Sequence, residues 1–392
     1  MTKSNNLKFC KVTSHHNKNV IVILFTNYGP YHLSRLAASN KNFHQLNWNV
    51  VGVELSRSET VYPWKTKIEN LAGKLISVIS EQPLEQIQPT VLIHKLFSVL
   101  SGINPDFIAI AGYAHLGMLS TLVWSIWHRK PAILLSDSKE DDAPRNWWSE
   151  NFKHWLLKGY KAALVAGKPQ KRYLIKLGMK PESIFTGYDV VGNDDFHPNK
   201  INSLPAPHQK PYFLAINRFI PKKNLSTLIS SYGHYRQTAG VNSWDLVLCG
   251  NGELRPQIEQ QIAELNLQDS IHLPGFLQQD ELLPYFAHAN CFIHASIQEQ
   301  WGLVVNEAMA AGLPVLVSNR CGCFEDLVIE GVNGFGFEPE NSKQLTELML
   351  KMSSGEIELE KMSKASLEHI QKFSPDYFAE GLMQAIQYAL AH

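Results

Sequence analysis

His294-Ala-Ser-Ile-Gln-Glu299-Gln-Trp301-Gly302-Leu303-Val-Val-Asn306-Glu307-Ala-Met-Ala-Ala-Gly312-Leu-Pro314-Val-Leu-Val317 reads as a strand end, a loop, a helix and the next strand. Gly312 and Pro314 stop the helix. In an open α/β sheet a ligand sits beyond the carboxyl ends of the strands, where a new helix presents unpaired backbone N–H groups suited to a phosphate. Trp301, Gly302 and Leu303 are therefore a candidate diphosphate cradle. Leu303 and Glu307 stand four apart on one helical face, which puts Glu307 a turn below that cradle. A phosphate would repel a carboxylate there, whereas sugar or ribose hydroxyls donate charge-assisted hydrogen bonds to it.

The same alternation extends in both directions. Short β-branched or apolar runs alternate with stretches of helical period, the form of repeated βαβ units whose parallel strands are buried on both faces. In the first half, strands are expected over residues 20–26, 49–55, 107–111, 132–136 and 162–166, with helices over 33–39 and 86–100. In the second half they are expected over 212–216, 244–249, 270–273, 291–294 and 314–318, with helices starting near Leu225, Leu254, Asp280 and Leu303. Between the halves, Phe196 to Pro211 is rich in proline, a composition that punctuates rather than packs. This gives one Rossmann-like domain over 1–197, a linker over 198–210 and a second domain over 211–374. A last helix over 375–392 opens at Ser374-Pro375-Asp376. It carries Phe378, Leu382, Met383, Ile386 and Leu390 at helical spacing and is expected to pack back on the first domain.

A chain of 392 residues, 44% of them hydrophobic, is long enough for two cores. Its 36 basic and 36 acidic residues cancel, so no long-range field recruits nucleic acid or an anionic membrane, and any anion site must be built locally. Toward a membrane the neutral balance allows at most a weak peripheral association. Met1 to Asn19 is polar and lacks the apolar core of a signal peptide. Phe107 to Trp127, broken by Gly112, His115 and Gly117, reads as strand plus helix rather than a membrane span. Five cysteines, Cys10, Cys249, Cys291, Cys321 and Cys323, suggest neither a disulfide framework nor a zinc-spaced set. A cytoplasmic protein is the expectation.

Glu299 and Glu307 form a Glu-x7-Glu pair in the context Glu-x-x-Gly…Glu-Ala-Met-Ala-Ala-Gly-x-Pro-Val. This run resembles retaining glycosyltransferase family four, the group 1 glycosyltransferases. The resemblance implies the GT-B fold, an α/β architecture in which two Rossmann-like, doubly wound domains face across a cleft. It also implies a donor site in the second domain and an acceptor site in the first. The donor would be a nucleotide-diphosphate sugar as co-substrate, with no other cofactor, and the acceptor a glycan or small molecule. By position Glu299 would hold the donor sugar and Glu307 the ribose or sugar hydroxyls. Arg218-Phe-Ile-Pro-Lys222-Lys223 resembles the family's Arg-x4-Lys segment, whose cations neutralise the donor diphosphate; here these are Arg218 and Lys223. Two cations at a helix start oppose its dipole unless an anion is present. Gly250-Asn251-Gly252 resembles the Gly-x-Gly turn of the nucleotide pocket, although a plain helix-initiating turn reads the same. Gly275-Phe276-Leu277 resembles the base-contacting loop. Arg320-Cys321-Gly322-Cys323-Phe324-Glu325-Asp326 departs from the pattern, with Cys323 in place of the second glycine of a Gly-Gly pair and Asp326 in place of a glutamate.

In the first half, Gly29 and His32 lie in the strand-to-helix loop Thr26 to His32, and His115 in the loop Gly112 to His115. His115 looks like the family's active-site histidine; His32 either contacts a substrate hydroxyl or is a satisfied capping or core histidine. Asp137 and Arg145, in the polar run after a strand, are candidates for acceptor binding. Neither Asp141-Asp142 nor Asp194-Asp195 has the strand-borne Asp-x-Asp of metal-dependent transferases, so no metal site is expected. The resemblance thus implies metal-independent hexosyl transfer with retention, in polysaccharide or cell-envelope glycan synthesis. A sugar-nucleotide epimerase and a non-catalytic sugar-nucleotide sensor on the same fold are the other readings. A hydrolase wants two acids flanking a glycosidic bond, which a pair separated by a helix start does not offer. Nucleotide base, sugar, acceptor and oligomeric state are left open by the sequence.

Overall fold

The computed structural model describes residues 18–58, 73–143 and 145–392. The polar start of the chain with Cys10, and Pro144, lie outside them. Strands β1 (Val20–Phe25), β2 (Asn49–Ser56), β3 (Lys74–Ile79), β4 (Phe107–Ala111), β5 (Ala132–Ser136), β6 (Ala162–Val165) and β7 (Ile184–Thr186) form one parallel sheet, ordered β3-β2-β1-β4-β5-β6-β7. Strands β8 (Tyr212–Ile216), β9 (Asp245–Cys249), β10 (Ile271–Gly275), β11 (Cys291–His294), β12 (Val315–Ser318) and β13 (Gly334–Phe337) form a second, ordered β10-β9-β8-β11-β12-β13. In each sheet the strand order turns back once, between β1 and β4 and between β8 and β11. At such a switch point the helices leave to opposite faces and a crevice opens beyond the strand ends.

The strand sequences explain the layering. In β1, Val22 and Leu24 face one core, with Leu96, Leu100, Met118, Leu122 and Leu156. Ile21, Ile23 and Phe25 face the other, with Leu36 and Phe43. Covering both faces requires apolar residues at every position, hence the run Val-Ile-Val-Ile-Leu-Phe. The helix Pro375–Ala391 lies on that second face and buries Phe378, Leu382, Ala385 and Ile386 against the first sheet. This helix therefore belongs to the same domain as β1. The chain's two crossings run together, tied by Asn193 Nδ2 donating to the Ile370 carbonyl (2.9 Å) and by a Thr186–Tyr377 hydroxyl pair (2.6 Å).

Three strands were not expected from the sequence. β7 has three residues, β3 lies at a sheet edge with half-buried positions, and β13 reads Gly-Phe-Gly-Phe. Edge strands need little apolar surface, and glycine suppresses the β signal. The proline-rich stretch also differs from expectation. Short helices Asn193–Phe196 and Pro198–Ile201 bury Phe196 and Ile201 in the core of the second domain, so the first part of the supposed linker packs. Proline at N1 starts a helical turn as readily as it marks a loop. The run 107–127 is β4 followed by the helix Leu116–Trp127, and among the described residues no helix is long and apolar enough to cross a membrane.

Candidate functional site

A cavity of about 390 Å³ opens between the domains at the carboxyl ends of β8 and β11. The second domain contributes Arg218, Lys222 and Lys223 from the loop after β8, Gly250 from the turn after β9, Phe276 after β10, and Glu299 to Val304 after β11. The first domain contributes Pro30, Tyr31, Asp137 and Asp189. Of the residues singled out by sequence, Arg218, Lys223, Gly250, Phe276, Glu299, Trp301, Gly302, Leu303, Glu307 and Asp137 line it together.

At its centre stands Glu299, whose carboxylate meets Lys223 Nζ in a short ion pair. The same Oε2 faces His294 Nε2 at 3.2 Å and accepts from Ser296 Oγ at 3.1 Å. Burial works to raise this carboxyl, but the hydrogen bond with His294 and the Lys223 charge outweigh it and hold the group well below the ordinary carboxylate range. His294, at the end of β11, is fully buried, and desolvation lowers its own affinity for a proton. Gly302, at φ +106°, makes the left-handed turn that starts the helix Leu303–Ala310 with no side-chain cap. The first amides of a helix have no partner within it, and Leu303 and Val304, which carry two of them, line the cavity. The Trp301 indole is buried and serves structure, donating from Nε1 to Asn306 Oδ1 at 2.9 Å.

Glu307 behaves differently from Glu299. Burial pushes its carboxyl up to about 7, against the pull of a hydrogen bond from Tyr31 Oη across the cleft (2.7 Å). Asp137, after β5, is likewise pushed up to about 7, by desolvation and then by the charge of Asp189. Asp189 itself is paired at 3.1 Å with the buried Arg35.

Other expected positions fall elsewhere. His115 does not line the cavity: its Nδ1 accepts from the Gly117 N–H (3.0 Å) and caps the helix Leu116–Trp127. Gly29 and His32 also stand back from it. His32 Nδ1 accepts from the Gly29 N–H (3.2 Å), its ring lies 4.1 Å from that of Phe25, and desolvation with the Arg35 charge brings its pKa down to about 3. Gly252 lies against the Phe219 backbone, and the Gly275 carbonyl accepts from Gly250 N–H at 2.7 Å; both shape the turn without lining the cavity. Arg145 folds onto the Lys139 and Glu140 carbonyls and stacks 4.7 Å from the Tyr173 ring. The departing loop around Cys323 keeps the site together from behind, because Gly322 and Cys323 N–H donate to the Glu299 and Trp301 carbonyls (3.1 Å each). Asp326 caps the first domain's helix Lys168–Lys176 through the Lys168 N–H (2.9 Å). Cys249, Cys291, Cys321 and Cys323 are buried and unpaired.

Tyr31, His294, Lys222 and Asp189 are site residues that sequence reasoning passed over. His294 carried a signal, a polar residue closing a buried strand; Tyr31 meets Glu307 only through the packing of the two domains. Among the described residues one trio, His208, Asp245 and His272, has metal-ligand geometry. It sits at the amino-terminal edge of β9, a strand's length from the cavity, where Lys210 and Arg236 also face Asp245.

Two Rossmann-like domains of parallel sheet closing on a site at their switch points define the GT-B architecture. A glycosyltransferase from Rickettsia africae has this fold, with a TM-score of 0.74 at 16% identity over 96% of this chain and 99% of that one. So has Anabaena HepE in complex with UDP, with a TM-score of 0.70 at 16% identity over 95% and 100% of the two chains. Residues 196–369, in the carboxyl-terminal half, match the family "Glycosyl transferases group 1". The amylovoran biosynthesis glycosyltransferase AmsK of Erwinia amylovora is 29% identical over 194 residues, 47% of this chain and 46% of that protein. An uncharacterized glycosyltransferase of Methanocaldococcus jannaschii is 34% identical over 145 residues, 36% of each. The chain thus spans about half or less of the curated relatives it matches.

Proposed function

We propose that the chain transfers a glycosyl group from a nucleoside-diphosphate sugar, held by the second domain, to a glycan or small-molecule acceptor held by the first, with retention at the anomeric carbon. The observation that carries this reading is the Glu299 carboxylate, kept ionised by His294 and Lys223 in an inter-domain cavity whose same wall brings Arg218 and Lys222. An ionised carboxylate flanked by cations suits a donor that is hydroxyl-rich at one end and anionic at the other. Glu299 orients the sugar hydroxyls. Arg218, Lys223 and the amides of Leu303 and Val304 stabilise charge that develops on the departing diphosphate, a term worth on the order of 2–4 kcal/mol per donor in a water-excluded site. Glu307 accepts from the ribose, and Asp137 faces the reacting end from the acceptor side. Fixed cations and amides supply the charge that a divalent metal would bring, so transfer proceeds without one. HepE's complex with UDP supports a uridine donor, and AmsK's place in amylovoran biosynthesis supports a polysaccharide acceptor.

The test begins with thermal shift across UDP-, GDP- and ADP-sugars, since a ligand that binds only the folded chain stabilises it. The stabilising donor is then assayed for transfer in excess EDTA, with NMR of the first-formed linkage. Donor interconversion without transfer would favour an epimerase. An inverted linkage would overturn retention, strict manganese dependence would overturn the charge argument, and full activity in Glu299→Ala would remove that residue from the mechanism.

A further inference from the structure

The helices Leu116–Trp127 and Trp147–Leu157 lie on one face of the first sheet, rooted by Met118, Leu122, Trp124, Leu156 and Leu157. They are neighbours: a Cβ on Gly159, just past the second helix, would stand 3.2–3.3 Å from Leu122 and Ile126. Their outer faces are apolar where solvent-facing helices ordinarily carry charge. Trp127, Trp147, Trp148 and Trp155 are 78%, 67%, 78% and 67% exposed, with Val123, Ile126 and Phe152 exposed among them. The first helix carries no charged residue, and the one carboxylate of the second, Glu150, is held by Lys153 at 2.8 Å.

At one end the patch turns basic. Arg129 and Lys130 follow the first helix, Lys158 and Lys161 the second. Lys161 N–H donates to the Ala132 carbonyl (2.9 Å), which sets the two basic ends side by side. In a chain of net charge zero this cationic rim is a local feature. We propose that this face docks the first domain on an anionic lipid surface, with the tryptophans at the boundary of headgroups and acyl chains and the four cations on lipid phosphates. Contiguous exposed apolar surface marks an interaction site. Tryptophan, an apolar ring with one N–H, concentrates at membrane interfaces, and a helix lying in that plane pairs an apolar face with a basic flank. The charge complement selects an anionic membrane as the partner. Both helices begin at the carboxyl ends of their preceding strands, and the four cations stand at their far ends, beside the amino ends of β5 and β6 and away from the cleft. The proposal stands independently of the transfer reaction.

The full chain is sedimented with phosphatidylcholine vesicles and with vesicles that also contain phosphatidylglycerol. Binding is expected to the anionic vesicles and to weaken with added salt. It should fall about fivefold in Arg129→Ser and in Lys158→Ser, the equivalent of about 1 kcal/mol per cation at an anionic surface. Trp148→Ala and Trp155→Ala should each lower it about tenfold or more. Thermal melting of all four variants should match the parent, because these side chains point into solvent. Brominated acyl chains should quench the parent's fluorescence and quench the tryptophan variants less. Absence of vesicle binding by the parent, or binding unchanged in all four variants, overturns the proposal. So does sedimentation equilibrium that finds a stable dimer which the tryptophan variants disperse, since a second copy would then cover the face.

Discussion

Lys223 and Glu299 hold each other within the cavity, so on the proposed reading an incoming diphosphate draws the ammonium away from a carboxylate that is also bonded to His294 and Ser296. Replacing Lys223 by Ala removes the proposed counter-charge of the diphosphate and one of the two groups that keep Glu299 ionised. We expect kcat to fall about 100-fold or more, within the 2–4 kcal/mol range of such electrostatic donors, and the Glu299 titration, followed by NMR, to move upward. Unchanged turnover would contradict the assignment. Glu307 makes a separate prediction. Its carboxyl titrates near 7, and two ribose hydroxyls are best accepted by the ionised form, so donor affinity should rise with pH up to about 7 and level off above. Below that the loss approaches tenfold per pH unit. Glu307→Gln should flatten the profile, and calorimetry in buffers of different ionisation enthalpy should detect the proton released on binding. For stability the sign is reversed: a carboxyl raised above its unfolded value is tolerated when protonated, and its penalty accrues as pH climbs from the ordinary carboxylate range to about 7. Glu307→Gln should therefore stabilise the fold at pH 8 more than at pH 4.

The turn after β9 shows how closely backbone approaches backbone beneath the site. Gly250 has φ +133°, and a Cβ there would lie 1.8 Å from the Asn217 carbonyl oxygen. Gly250→Ala should destabilise the second domain by about 2–3 kcal/mol and weaken donor binding, as read from denaturant midpoints and a binding titration; a wild-type midpoint would mean that the turn relaxes freely. The element that decided the fold in the sequence, from His294 to Val317, is where legibility was greatest, because strand, loop, helix start and helix stop each leave their own local residue signature. β3, β7 and β13 left none, since an edge strand draws on its neighbour's hydrogen bonds rather than on its own side chains. The misplaced candidates share a cause: Gly29, His32 and His115 sit on the right loops, but each histidine spends its Nδ1 on a nearby amide, a choice that loop position does not reveal. Tyr31 was invisible for the opposite reason, its partner Glu307 lying in the other domain.

At the scale of the whole molecule, the helix Pro375–Ala391 belongs to the domain of the first sheet, although the whole second domain lies between them in sequence. Leu382, fully buried against the first sheet, tests this dependence: Leu382→Ala should cost about 2–4 kcal/mol and lower the melting of the first domain while leaving nucleotide binding by the second intact. Equal loss in both domains would mean that they unfold as one unit. Because the chain leaves the first domain beside Asn193 and returns beside Ile370, the second domain hangs on two adjacent backbones stitched to each other. A door on two pins swings but does not twist. Torsion about the connecting strands is resisted, and the remaining freedom is rotation about the line through both crossings, so any opening of the cleft would move Glu307 toward or away from Tyr31 along a single arc. A protease that severed one crossing would leave the halves joined by the other.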